Sequence, residues 1–149
     1  MGNYLVVYDH SAYDCAILSR DLTNTMAKIM IVDDDLQASA LVERVVKMYS
    51  HQTAVVNRSS LAMETAHSFL PDLCILDLMM PDLNGFELCA LLRADPQFAE
   101  TPVIVVSAME DRESKIKAFS VGVNEYITKP FNIMDLGEKI GALLAKGKS

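Results

Sequence analysis

The chain has 149 residues, 51% of them hydrophobic and 22% charged, a composition typical of one globular domain with a sizeable core. Its formal net charge of -7 argues against a nucleic-acid partner, because nucleic-acid-binding surfaces need clustered positive charge. No apolar stretch is as long as a membrane span, and the first residues lack a signal-peptide pattern, so we predict a cytoplasmic protein without a membrane partner.

Residues 1–27 differ in pattern from the rest of the chain. Residues 4–8 have the composition of a strand, residues 11–22 fit a short helix, and residues 23–25 resemble a polar linker. We predict an N-terminal extension, for which two interpretations stay open. It is either a leader or tail without function, or an added strand and helix that cover a sheet edge or mediate self-association.

From Lys28 onward, strand and helix patterns alternate along the chain. The predicted strands are 29–32, 53–56, 73–77, 103–106 and 126–128, and the predicted helices are 36–49, 59–70, 86–94, 112–121 and 133–144. Five consecutive strand–helix units with apolar strands predict a doubly wound α/β fold, in which a parallel sheet carries helices on both faces.

Apolar residues recur at helical spacing in the predicted helices. The first helix carries Leu41, Val45 and Met48, and the helix at 112–121 carries Ile116 and Phe119. In the last helix, the spacing predicts an inner stripe of four residues: Ile133, Leu136, Ile140 and Leu143.

The stretch from Leu73 to Gly85, LCILDLMMPDLNG, is the most informative segment. Its apolar run ends on a carboxylate, Asp77, and Pro81 breaks the chain just beyond. Because open α/β sheets place their chemistry at the carboxyl ends of strands, Asp77 is a candidate functional residue. Taken alone, an Asp here fits a turn residue or a helix cap equally well.

Polar residues follow four of the five predicted strands. They are Asp33 and Asp34 after the first strand, Asp77 after the third, Ser107 after the fourth and Lys129 after the fifth. In a parallel sheet these positions lie on one rim. Three neighbouring carboxylates need a cation, and oxygen ligands suit Mg²⁺. With a hydroxyl and an ammonium added, the set is suited to hold a phosphoryl group on a carboxylate.

Four segments resemble the receiver domain of two-component response regulators, the CheY-like proteins. They read IMIVDDD (Ile29–Asp35), CILDLMMPDLNG (Cys74–Gly85), TPVIVVSA (Thr101–Ala108) and EYITKPF (Glu125–Phe131), in the right order and each at a predicted strand end. The resemblance implies a flavodoxin-like (βα)5 fold with strand order 2-1-3-4-5. We expect a receiver domain at residues 28–146, without an output domain.

The resemblance also implies the roles of the acidic residues. Asp77 matches the phosphoacceptor, which takes a phosphoryl group from a phosphohistidine, and Lys129 would pair with Asp77 and then with the phosphoryl oxygens. Asp34 and Asp77 would bind Mg²⁺ directly, and Asp33 would act through water. The backbone carbonyl of Met79 would complete the protein ligands.

Two further residues match the switch of the family. The hydroxyl of Ser107 would move to the phosphoryl group and Tyr126 would turn inward, which would change the surface of the fourth helix, fifth strand and fifth helix. The Lys129–Pro130 bond is expected to be cis. Beyond Mg²⁺-dependent autophosphorylation and autodephosphorylation, no enzymatic activity is implied.

The partners implied by the resemblance are proteins. The phosphodonor would be a sensor histidine kinase or a histidine phosphotransfer protein. The target would be a downstream protein or a missing output domain, and a homodimer is a further option.

Two other interpretations fit part of the sequence. The residues IVDDD (31–35) also match the start of haloacid-dehalogenase-like phosphohydrolases, with Asp33 as nucleophile and Asp35 as acid. That interpretation leaves DLMMPDLNG unexplained. The other is a receiver fold used as a binding module without phosphorylation, against which the intact acidic, serine and lysine positions argue.

Overall fold

The computed structural model describes residues 26–147, so the strand and helix predicted within the N-terminal extension lie outside the described residues. The strands are β1 (Lys28–Val32), β2 (Gln52–Val56), β3 (Leu73–Leu76), β4 (Val103–Ser107) and β5 (Glu125–Thr128). The helices are α1 (Leu36–Met48), α2 (Ala62–Phe69), α3 (Gly85–Ala94), α4 (Arg112–Ser120) and α5 (Ile133–Gly147), and a 3₁₀ turn at Ser59–Leu61 leads into α2. Every element predicted after residue 28 is present, with its ends displaced by three residues at most.

All neighbouring strands are parallel, in the order β2-β1-β3-β4-β5. β1 lies between β2 and β3, so that Ile31 is opposite Val55 on one side and Ile75 on the other. The predicted fold class and strand order are confirmed. Because every strand runs in the same direction, all five carboxyl ends meet at one edge of the sheet.

Each strand contributes to two hydrophobic cores, because successive side chains of a strand point to opposite faces. One core holds Met30, Val32, Cys74, Leu76, Val103 and Val105 with residues of α2, α3 and α4. The other holds Ile29, Ile31, Leu73, Ile75, Ile104 and Val106 with residues of α1 and α5. This burial on both faces explains why the strands read as continuous apolar runs.

The helical spacing predicted the inner face of some helices incorrectly. In α1, Val45 is buried, but Leu41 is 42% exposed and Met48 is 69% exposed. The residues of α1 that face the sheet are Ser39, Val42, Val45 and Val46. Apolar residues extend around more than one face of this helix, so spacing alone could not select the buried one.

Helices α4 and α5 show the same limit. In α5, Leu136, Ile140 and Leu143 are buried as predicted, whereas Ile133, at the helix start, is exposed. In α4 the two residues with large apolar side chains point outward: Ile116 is 57% exposed and Phe119 is 49% exposed. Smaller residues of α4, Ser114 and Ala118, pack inward instead.

Side chains cap α1 and α3, two of the helices that begin at the carboxyl edge of the sheet. Asp35 caps α1, with its Oδ1 accepting the N–H groups of Gln37 and Ala38 at 2.9 and 3.2 Å. Asn84 and Glu87 form a reciprocal capping box at the start of α3. Such caps satisfy N–H groups that have no partner within the helix, and they fix where each loop at this edge ends.

Candidate functional site

Three carboxylates meet where β1 and β3 end. The register pairs Val32 with Leu76, so Asp33 and Asp77 leave neighbouring strands side by side. One carboxylate oxygen from each of Asp33, Asp34 and Asp77 lies within 4.8 Å of the others. Asp33 is 4% exposed and Asp77 is 8% exposed, whereas Asp34 is exposed. The site is therefore acidic and open to solvent on the Asp34 side.

Lys129 brings one positive charge to this cluster from the end of β5. Its Nζ lies 3.0 Å from Asp33 Oδ2 and 3.7 Å from Asp77 Oδ2. The Lys129–Pro130 peptide bond is cis, as predicted. One ammonium does not balance three ionised carboxylates, so the cluster keeps an excess of negative charge that a cation would neutralise.

The carboxyl group of Asp77 is held in an unfavourable environment for its charge. Burial raises its pKa above the ordinary value, and the neighbouring charge of Asp33 raises this pKa further. Lys129 and backbone N–H groups offset part of that rise. One such bond runs from the Leu78 N–H to Asp77 Oδ1 at 2.8 Å, which leaves Oδ2 facing Lys129.

The two acidic residues after β1 differ in what binds their oxygens. Asp33 Oδ1 accepts the Asp35 N–H at 3.0 Å, and Asp33 Oδ2 accepts a hydrogen bond from Lys129. From residue 26 to residue 147, no group donates a hydrogen bond to the Asp34 carboxylate. Asp34 thus has oxygens free for a direct ligand, whereas those of Asp33 are already engaged.

Ser107 and Tyr126 act on the same backbone unit. Ser107, buried at the end of β4, accepts the Met109 N–H on its Oγ at 3.2 Å. The Tyr126 hydroxyl donates to the Met109 carbonyl at 2.5 Å, and the tyrosine ring packs against the core. The two predicted switch residues therefore hold the loop after β4 through the two polar groups of Met109.

The loop after β3 lies against Asp77. The exposed side chain of Met79 borders a cavity of about 480 Å³ that is also lined by Leu78, Met80, Pro81, Asn84, Phe86 and Met109. The loop closes where the Gly85 N–H donates to the Leu78 carbonyl at 2.9 Å. A Cβ at Gly85 would lie 2.8 Å from Leu78 Cα and would overlap the Asp77 carbonyl, so glycine permits this close approach.

Two residues near the site were missed by the sequence analysis. Asn57 donates from Nδ2 to the Asp33 carbonyl at 2.7 Å, and Ser59 donates to the Pro81 carbonyl at 2.8 Å. The sequence held one signal for Asn57. The other four predicted strands each end at an assigned polar residue, and Asn57 is the polar residue directly after the second strand. Asp35, in contrast, caps α1 through its Oδ1, a structural role that accounts for an acidic residue at this position.

The fold and the acidic edge of the sheet define a CheY-like α/β domain. The family model of the response regulator receiver domain matches residues 29–141, and the chain belongs to this family. It is therefore a receiver domain of two-component signalling, a class of signalling phosphoacceptors and not of classical enzymes.

Known proteins of this family cover most of the described residues. The "DNA-binding dual master transcriptional regulator RpaA" of Synechocystis is 37% identical over 123 residues, which are 81% of this chain and 50% of RpaA. The chemotaxis response regulator CheY4 of Vibrio cholerae is 26% identical with a TM-score of 0.75, over 80% of this chain and 99% of CheY4. The BeF3-activated DrrB receiver domain is 29% identical with a TM-score of 0.74, over 81% of this chain and 99% of DrrB.

The chain spans about half the length of the curated relatives it matches. The prediction of no nucleic-acid partner conflicts with RpaA, which is named as DNA-binding. The prediction was based on the net charge of -7, which is a property of this chain alone. It carries no information about the half of RpaA that this chain does not match. Within residues 26–147, no helix is both long and apolar enough to cross a bilayer.

Proposed function

We propose that Asp77 accepts a phosphoryl group from the phosphohistidine of a sensor histidine kinase or a histidine phosphotransfer protein. One observation carries this proposal: the buried Asp77 carboxylate lies within 4.8 Å of two other carboxylates and 3.7 Å from the Lys129 ammonium. An oxygen of Asp77 would form the new P–O bond while the P–N bond to the imidazole breaks. The electron pair of that bond would leave with the imidazole.

The proposed metal ion is Mg²⁺, and the oxygen-only donor set supports it. Asp34, Asp77 and the Met79 backbone carbonyl would bind it directly, and Asp33 would act through water. The free oxygens of Asp34 and the engaged oxygens of Asp33 fit this division. When bound, Mg²⁺ would neutralise part of the negative charge of the carboxylates and of the phosphoryl oxygens.

The remaining polar groups would respond to the new charge. Lys129, which pairs with Asp33, would turn to the phosphoryl oxygens as they arrive. Ser107 would donate its hydroxyl to a phosphoryl oxygen and so release the Met109 N–H. Because Tyr126 holds the carbonyl of that same residue, the loop after β4 would transmit the change to α4 and β5.

The surface of α4, β5 and α5 is the proposed output surface. Its helix α4 exposes Ile116 and Phe119, whose apolar area suits contact with another protein surface. We propose a downstream protein, an output region beyond this chain or a second copy as the partner. Measurement of the molecular mass in solution, with and without beryllofluoride, tests for the second copy: a dimer that forms on activation would identify it as the partner, and a monomer would leave the downstream protein or the output region. The cytoplasmic location stays a prediction.

The experiment that tests this function is intact-mass measurement after incubation with acetyl phosphate and Mg²⁺. We expect one added phosphoryl group, which is absent in Asp77→Asn and in samples with EDTA. Equal labelling of Asp77→Asn would contradict the assignment of the phosphoacceptor. Sustained release of phosphate from a small ester that survives Asp77→Asn but not Asp33→Asn would instead favour the phosphohydrolase interpretation.

A further inference from the structure

The segment between β2 and α2 contacts both loops that carry the proposed metal ligands. Asn57 follows β2 directly, and Ser59 begins the 3₁₀ turn before α2. Neither residue belongs to the carboxylate cluster. Both side chains instead hydrogen-bond to atoms of the loops after β1 and β3, which are the loops that present Asp34 and Met79.

The amide of Asn57 fixes the loop after β1 at both of its ends. Nδ2 donates to the Asp33 carbonyl at 2.7 Å and to Ser39 Oγ at 3.0 Å. Ser39 is buried in α1, and its hydroxyl donates to the Leu36 carbonyl at 3.1 Å. The amide thus ties the first residue of the loop to the first turn of α1, with Asp34 held between these two points.

The hydroxyl of Ser59 performs the same task for the loop after β3. Its Oγ donates to the Pro81 carbonyl at 2.8 Å and accepts the Leu83 N–H at 3.1 Å. Between these two residues, Asp82 has a positive φ of 71°, so the backbone turns sharply here. Ser59 is buried, and this pair of bonds therefore fixes the turn that follows Met79.

We propose that Asn57 and Ser59 are positioning residues of the Mg²⁺ site, an inference that rests on the proposed function. Mg²⁺ requires near-octahedral geometry with short ligand distances, so small displacements of ligand-bearing loops weaken binding. Groups that orient metal ligands typically contribute about 10- to 100-fold to metal affinity. Here one three-residue segment would orient two ligand loops that are far apart in sequence.

The test is a titration of the full chain with Mg²⁺ in the absence of a phosphodonor. Amide NMR shifts report the binding, because the chain has no tryptophan whose fluorescence could do so. We expect Asn57→Ala and Ser59→Ala each to weaken Mg²⁺ binding about 10-fold or more. Ser39→Ala, which removes one partner of the Asn57 amide, should give a smaller loss. If Asn57→Ala does not fold, the Mg²⁺ affinities of Ser39→Ala and Ser59→Ala test the inference in its place.

Asn124→Ala is the matched control. Asn124 Oδ1 accepts hydrogen bonds from the Val103 N–H at 2.8 Å and from Arg93 Nη2 at 2.9 Å. Val103 begins β4, so these bonds lie at the edge of the sheet opposite to the carboxylate cluster. We expect this variant to lose stability in EDTA but to keep its Mg²⁺ affinity. A merely structural role of Asn57 would make the two asparagine variants behave alike.

Phosphorylation kinetics give a second measurement. In Asn57→Ala and Ser59→Ala, the Mg²⁺ concentration for half-maximal labelling by acetyl phosphate should rise, and the rate at saturating Mg²⁺ should recover. Unchanged Mg²⁺ affinity in both variants, or an equal loss in Asn124→Ala, overturns the inference. A wild-type chain that does not bind Mg²⁺, or binding that is unaffected by Asp34→Asn, overturns the proposed metal site itself.

Discussion

The Arg93 guanidinium donates two hydrogen bonds to the carbonyl of Gly122, from Nε at 3.1 Å and from Nη2 at 2.8 Å. Its Nη1 donates to the carbonyls of Phe98 and Thr101 at 3.0 and 2.7 Å. One side chain from the end of α3 therefore joins the segment before β4 to the turn between α4 and β5. These three acceptors are uncharged carbonyl groups, and the fork geometry of arginine makes this set of contacts possible.

Replacing Arg93 by lysine should destabilise the fold, because an ammonium cannot serve three separated carbonyls at once. We expect the free energy of unfolding to fall by about 2 kcal/mol, measured by urea titration. Arg44→Lys, on the exposed side of α1, is the control and should change little. Equal stability of the two variants would show that the carbonyls find other donors.

Substitution by alanine should change the free energy of unfolding in opposite directions at Gly122 and at Gly141. Gly122 has a φ of +108°, and a Cβ there would lie 2.8 Å from Arg93 Nε. Gly122→Ala should therefore lower the free energy of unfolding by about 2 kcal/mol. A Cβ at Gly141, inside α5, meets nothing within 4 Å. Gly141→Ala should raise the unfolding free energy by about 0.5–1 kcal/mol, and urea titrations that show the same sign for both would contradict this explanation.

Asp77→Asn should stabilise the Mg²⁺-free protein near pH 7. Burial and the charge of Asp33 raise the pKa of Asp77 above 3.8, although Lys129 opposes this. A carboxyl with a raised pKa in the folded state favours folding at low pH, and that contribution is lost as the pH rises through the folded pKa. Asparagine keeps an oxygen for the Leu78 N–H, and its advantage should shrink as the pH falls toward 3.8.

Urea titrations in EDTA at several pH values measure this difference. Asp82→Asn, an exposed change in the neighbouring loop, is the control and should not follow the same pH dependence. Added Mg²⁺ should stabilise the wild type more than Asp77→Asn. An Asp77→Asn variant less stable than the wild type at neutral pH would mean that the carboxylate is not destabilised by its surroundings.

Lys129→Met should have opposite effects on metal binding and on phosphorylation. Loss of the ammonium removes a positive charge that competes with a cation for Asp33 and Asp77, so Mg²⁺ affinity should rise. The rate of labelling by acetyl phosphate should fall by about 100-fold, because a charged group that faces the developing phosphoryl charge is gone. Lys47→Met on α1 is the control, and weaker Mg²⁺ binding by Lys129→Met would contradict the proposed role.

The fold was predictable because the strands carry a local signal. Residues Leu73–Leu76, for example, are all buried, as a strand between two helical layers requires, and Asp77 marks the end of that run. The same topology allowed the meeting of Asp33, Asp77 and Lys129 to be predicted, because it depends on strand order alone and on no side-chain detail.

Contacts with the backbone could not be predicted in this way. Arg93 and Ser59 bind backbone carbonyl and N–H groups, which almost every residue carries and which therefore leave no pattern in the sequence. The buried face of α1 was predicted only at Val45, because Leu41 and Val42 are equally apolar neighbours. Only the position of the helix on the sheet decides which of the two is covered.

The ion pair between Lys129 and Asp33 joins residues 96 positions apart. During synthesis on the ribosome, Asp33 and Asp77 emerge long before this lysine, which follows the last strand of the sheet. A nascent chain that stops before β5 lacks both the lysine that pairs with these carboxylates and one edge strand of the sheet. The acidic site is thus completed only after β5 and Lys129 have been synthesised, so the cation of this ion pair is made after both of its carboxylates.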